Sequence, residues 1–167
     1  MSDIIVSDTS VLINFLKIDR LDLLGNCSLH FLVTDHVRDE ITHNYTDQLQ
    51  RFHNSLQKHI LEEIRVVEVA EVELFSTLQN GKLGIGECSA ISVAIHRKCS
   101  LAIDDNLAIK STLSLAPNLL IFRTQDLMVK MIQEGVLNIS DADLILQDWA
   151  ENHRFKLKIK TFKELLV

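Results

Sequence analysis

Ile4-Ile5-Val6-Ser7-Asp8-Thr9-Ser10-Val11-Leu12-Ile13-Asn14-Phe15-Leu16 reads as a strand running directly into a helix, with an acid at the joint. Ile4 to Val6 is a β-branched run, as expected of a buried strand, and it ends at Ser7-Asp8. From Thr9 onward the apolar positions recur at helical spacing, with Ser10 or Thr9 available as cap. The same theme repeats along the chain. Residues 29–33 predict a second strand, after which Thr34 or Asp35 caps a helix carrying Val37, Glu40 and Ile41. Residues 64–69, 101–103 and 119–122 predict further strands. Helices are predicted over 47–60, 71–78, 107–115, 124–134 and 141–149, and Gly84-Ile85-Gly86 opens another through Glu87 and Ile95. Strands that alternate with helices predict an α/β fold, with a mostly parallel sheet covered on both faces.

Composition narrows the function classes. The chain has 167 residues, 47% hydrophobic and 24% charged, which suits one domain over 1–167 with a substantial core. Five glycines and one proline leave no linker-like tract. No run approaches the eighteen or so apolar residues that span a bilayer. The start, MSDIIVSD, lacks the basic region of a leader, so a cytoplasmic location is expected. Cys27, Cys88 and Cys99 have no C-x-x-C spacing and read as reduced thiols. The seven histidines form no H-x-H or H-E-x-x-H pattern, which argues against a histidine-built zinc site. A net charge of -6 argues against a protein that simply coats nucleic acid. It does not argue against a metallonuclease, whose cations bridge acidic protein and anionic substrate. Near the end, Phe155, Leu157 and Ile159 alternate with Lys156, Lys158 and Lys160, predicting an edge strand or ribbon with lysines facing water.

Ligands of open α/β sheets bind outside the carboxyl ends of the strands. Asp8 follows the first strand, and Asp104 and Asp105 follow the strand at 101–103. Glu40 lies within about two turns of the helix after the second strand, and Glu87 lies in the first turn of the glycine-opened helix. Each has an ordinary structural use. Asp8 suits a helix cap, Glu40 a solvated face, Glu87 a first-turn acid favoured by the helix dipole, and Asp104-Asp105 a turn. Together they place four acidic stations at one end of the sheet. Clustered carboxylates repel one another, and a cation offsets that repulsion. Oxygen ligands suit Mg²⁺ or Mn²⁺.

Four segments resemble the motifs of PIN domains. They are Val6-Ser7-Asp8-Thr9-Ser10-Val11-Leu12-Ile13, Val37-Arg38-Asp39-Glu40-Ile41, Gly84-Ile85-Gly86-Glu87-Cys88-Ser89-Ala90-Ile91 and Leu101-Ala102-Ile103-Asp104-Asp105-Asn106-Leu107-Ala108. The resemblance spans about 3–135, with a helix and a basic, strand-like extension over 140–167 beyond it. It implies a three-layer fold and a metal-dependent endoribonuclease that hydrolyses RNA phosphodiester bonds. Asp8, Glu40, Glu87 and Asp105 become the catalytic acids. Asp8, Glu87 and Asp105 become metal ligands, with Asp104 as sharer of or alternative to Asp105, and Ser10 orients Asp8. Mg²⁺ or Mn²⁺ would activate the attacking water. Arg97, Lys98, Lys110, Arg123 and the lysine row are the candidate phosphate contacts. Many small relatives are toxins restrained by a small antitoxin protein, and PIN domains often form homodimers. The rival from another class is a non-catalytic PIN-like module that binds RNA or protein. An aspartyl phosphatase would want a second acid where Ser10 stands. Lys110 stands near where many relatives carry Arg, and 45–58 and the tail from Trp149 have no counterpart in the motifs.

Overall fold

The computed structural model describes residues 3–166; Met1, Ser2 and Val167, the last of them in the expected extension, lie outside the described residues. Five strands, β1 (Ile4–Ser7), β2 (His30–Thr34), β3 (Leu61–Ile64), β4 (Ser100–Ala102) and β5 (Ile121–Phe122), form one sheet in the order β3-β2-β1-β4-β5. Every pairing in it is parallel. The helices are α1 (Thr9–Lys17), α2 (Asp22–Asn26), α3 (Asp35–Asn44), α4 (Leu49–Gln57), α5 (Val69–Gln79), α6 (Ile85–Arg97), α7 (Asn106–Leu115), α8 (Thr124–Gln133) and α9 (Ile139–Asn152).

Alternate residues of each strand face opposite layers. Ile5, Phe31, Val33, Leu61 and Ala102 meet Phe15, Leu127, Met128 and Trp149 on one side. Val6, Leu32 and Leu101 meet Ile91, Val93 and Ala108 on the other. Both faces are covered, which is why the strands read as continuous apolar runs. Each fully buried side chain of this size contributes about 1.5–3 kcal/mol.

Two predicted strands fall differently. β3 ends where the predicted strand 64–69 begins. It is an edge strand whose Glu62 and Glu63 are not buried, so its apolar pattern is diluted, while Val67 and Val69 are exposed and lead into α5. The tail keeps its period of two, with Phe155, Leu157 and Ile159 packed on the core and the three lysines exposed, but it pairs with no strand. Period two is a property of extended chain, whether or not a neighbour hydrogen-bonds to it.

α5 and α6 are joined by a buried ion pair. The Glu71 side chain is 1% exposed and accepts from Arg97 Nε at 2.6 Å. Burial pushes this carboxyl up, but the Arg97 guanidinium and the backbone N–H groups of Val67 and Glu68 outweigh burial and hold it below its ordinary value of 4.5. A depressed carboxylate stabilises the fold above its unfolded pKa and stops doing so as pH falls through the folded one. Thermal melts are therefore expected to be flat in this contribution near pH 7 and to fall below about pH 4.5. Arg97→Gln should lower stability at pH 7 by about 2–3 kcal/mol, because Glu71 is left buried and unpaired, and should flatten the acid limb. A variant that melts like the parent at pH 7 would show the pair to be dispensable.

Candidate functional site

The strand order reverses between β1 and β4, and both acidic joints lie there. Asp8 continues the sheet, its N–H bonding to Ala102 O at 2.9 Å. Its carboxylate caps α1, accepting from Ser10 N–H at 3.4 Å and the Ser10 hydroxyl at 2.7 Å. The side chain that was read as orienting the acid thus touches it. Asp8 is 2% exposed. Burial pushes its carboxyl up, the Ser10 and Thr9 bonds oppose this, and the Glu40 charge adds to the upward push.

Glu40 is held on both oxygens. Thr9 Oγ1 donates to Oε2 at 2.6 Å, and the Gly86 N–H donates to Oε1 at 2.7 Å. One carboxylate on α3 therefore ties the first turn of α1 to the first turn of α6. Gly86 is a glycine for this reason. A Cβ there would lie 2.5 Å from Glu40 Oε2. Glu87, one residue on, receives the Gly84 N–H at 3.0 Å and closes the start of α6. Its half-buried carboxyl is pushed up by desolvation, pulled down by the Gly84 bond and pushed up again by the charges of Asp8, Asp105 and Glu40. Asp8, Asp105 and Glu40 thus all lie within electrostatic reach of Glu87.

The neighbouring aspartates divide their work. Asp104 accepts from Thr124 N–H at 2.8 Å, the Thr124 hydroxyl at 2.6 Å and Asn14 Nδ2 at 3.3 Å, fastening the end of β4 to α8 and α1. Asp105 is exposed, caps α7 through Ala108 N–H at 2.8 Å, and is the one whose charge acts on Glu87. Thr9, Gly86, Asn14 and Thr124 were missed in the sequence. Asn14 did carry a signal, since a polar residue amid Val11, Leu12, Phe15 and Leu16 needs a buried partner. So did the second glycine of Gly84-Ile85-Gly86, a residue type that permits close approach.

The proposed cations separate. Arg97 and Lys98, two of the candidate phosphate contacts, end α6, at the far end of that helix from Glu87, which sets them apart from the acids. Arg97 is committed to Glu71 and to Arg65 O. Lys98 lines a mostly apolar cavity of about 400 Å³ with Ile95, Cys99 and Leu120. Arg123 does stand at the acidic end, its guanidinium bonded to Asp104 O and to the Asn106 side chain. Lys110 is exposed on α7. A groove of about 450 Å³ lined by His36, Asp39, Glu40, His43, Asn44 and Ile85 opens beside Glu40.

The PIN-domain family model DUF3368 matches residues 4–167. The chain belongs to the PIN-domain family. Its fold is similar to that of a chain in the crystal structure of VapBC2 from Rickettsia felis bound to a DNA fragment from their promoter. That likeness has a TM-score of 0.50 at 18% identity and covers 72% of this chain and 98% of that one. Among curated proteins no match is found. No helix among the described residues is long and apolar enough to cross a membrane.

The chemistry of this PIN domain's donor set fits a hard divalent cation. All four acids offer carboxylate oxygen, and three negative charges bear on Glu87. Among the described residues, however, no three His, Cys, Asp or Glu side chains are grouped closely enough to hold an ion. Asp105 is exposed at the start of α7.

Proposed function

We propose that this PIN domain is a metal-dependent endoribonuclease whose catalytic acids are Asp8, Glu40, Glu87 and Asp105. The observation that carries the reading is the Glu87 carboxyl, half-buried where the strand order reverses and acted on by the charges of three more acids. A fold keeps such a repulsive set when a cation relieves it. Asp8, Glu87 and Asp105 would hold Mg²⁺ or Mn²⁺. The ion would make water a stronger nucleophile and neutralise charge on the phosphate. Glu40 is pinned by Thr9 and Gly86, each using one lone pair, and presents the remaining pairs to the cleft. It takes the proton of the attacking water. Asp104 holds the β4 loop through Thr124 and Asn14, which leaves Asp105 as the better-placed ligand of the pair in this reading. Lys110 and Arg123 border the cleft and orient substrate phosphate.

The VapBC2 neighbour is a named pair bound to promoter DNA. With that likeness as support for an antitoxin partner, our reading is that this chain is the toxin of a toxin–antitoxin pair, restrained by a small partner protein; that it works as a homodimer in the cytoplasm is proposed from the family resemblance alone. The non-catalytic module is a second reading, favoured by the capping bonds of Asp8, Glu87 and Asp105.

The test is cleavage of a mixed-sequence single-stranded RNA with Mn²⁺, with and without excess chelator. Cleavage is expected with metal and should vanish with chelator. RNA binding without cleavage, by folded protein saturated with Mn²⁺, would favour the non-catalytic module.

A further inference from the structure

We infer that the extended C-terminal strap, residues 155–160, is a rail for the phosphate backbone of single-stranded RNA. The inference rests on the ribonuclease reading for the class of its ligand. The strap is rigidly mounted. Phe155 N–H bonds to Trp149 O at 3.1 Å, and the two rings meet edge to face at 5.2 Å. At the other end, Asp143 accepts from the Thr161 hydroxyl at 2.6 Å and the Phe162 N–H at 2.8 Å, and Phe162 is fully buried. Between these anchors Phe155, Leu157 and Ile159 pack inward and Lys156, Lys158 and Lys160 are exposed, along a chain that bends at Lys158 and at Lys160.

These lysines are uncompensated. Among the described residues none of the three joins an ion pair. Nearby carboxylates are committed elsewhere. Asp143 serves the anchor, Glu164 accepts from the backbone N–H groups of Lys160 and Thr161, and Asp148 engages Asn152 and His153. Arg154, also exposed, extends the row toward α9. On a chain of net charge -6 the row is a local reversal of sign, suited to draw a polyanion that the rest of the surface repels. A line one side chain wide follows one backbone rather than the two of a duplex.

The strap's first anchor is tied to the acid-bearing loop. Trp149 Nε1 donates to Asn14 O at 2.7 Å, and Asn14 Nδ2 donates to Asp104. Two side chains thus link the first anchor to the loop that carries Asp105.

The test is fluorescence anisotropy of labelled mixed-sequence single-stranded RNA in excess chelator, across a range of salt. The variants are the triple change Lys156→Gln, Lys158→Gln, Lys160→Gln and the same three positions changed to Arg. The Gln triple should bind about tenfold or more weakly near 0.1 M salt, and its plot of log K against log salt should be shallower by about 2. The Arg triple should bind like the parent. Each single Gln change should cost a slope of about 0.7, which keeps the test valid if the triple variant melts early. Unchanged affinity and slope in the Gln variants would overturn the rail, as would displacement of RNA by poly-glutamate at equal charge. Binding is read without metal, so a failed nuclease reading leaves this result interpretable. A Gln triple that binds and cuts RNA like the parent would remove the rail and spare the nuclease.

Discussion

Asn in place of Asp8 should lower metal-dependent RNA cleavage by roughly a thousandfold or more, while the metal-free protein becomes no less stable. Asp8 is 2% exposed, and burial disfavours its charge. Asn is as good a helix cap as Asp, and its amide oxygen can still accept from Ser10. The substitution therefore keeps the local fold and removes one of four mutually repelling charges. It also removes a negative oxygen from the ion's donor set. Melting in chelator should give a midpoint equal to or above the parent's. Saturating Mn²⁺ should raise the parent's midpoint through linkage and leave the variant's nearly unmoved. A variant that melts several degrees lower in chelator, with activity lost in proportion, would make Asp8 a structural cap and nothing more.

The parts of this site visible in the sequence were those fixed by chain-local rules. Asp8, Asp104 and Asp105 stand where a strand becomes a helix, and the topology of a parallel sheet delivers them to one end. Glu87 follows a glycine pair and falls in a first helical turn. What the sequence could not supply was any contact between distant segments. Thr9 meets Glu40 across 31 positions and Asn14 meets Asp104 across 90, and no periodicity encodes either. The same limit explains the misplaced cations. Arg97 looked free because its partner Glu71 lies 26 residues away on another helix. It also hides the bonds of the Asp104 carboxylate to Thr124 on α8, a residue the sequence offers only as a cap.

Gly86→Ala should cost about 1–3 kcal/mol of stability and about a hundredfold or more of cleavage, although glycine-to-alanine changes inside helices usually stabilise. The new Cβ would lie 2.5 Å from Glu40 Oε2, 2.7 Å from Cδ and 2.8 Å from Oε1. Ordinary contact begins near 3.4 Å, so the carboxylate must retreat by close to 1 Å. It cannot do so freely, since the Thr9 hydroxyl and the Gly86 N–H hold it from two sides. A misplacement of that size in a catalytic group costs on the order of a hundredfold in rate. Gly84→Ala is the matched control. Its Cβ would meet Glu87 Oε2 at 3.9 Å and Glu40 Oε1 at 4.0 Å, ordinary distances that call for no shift. The two alanine variants should therefore separate clearly in both melting and cleavage. A shorter acid refines the argument: Glu40→Asp added to Gly86→Ala withdraws the carboxylate by one methylene and should recover stability without recovering activity. If Gly86→Ala alone cuts RNA at the parental rate, Glu40 has no positional role and the proton-accepting assignment must move to another acid.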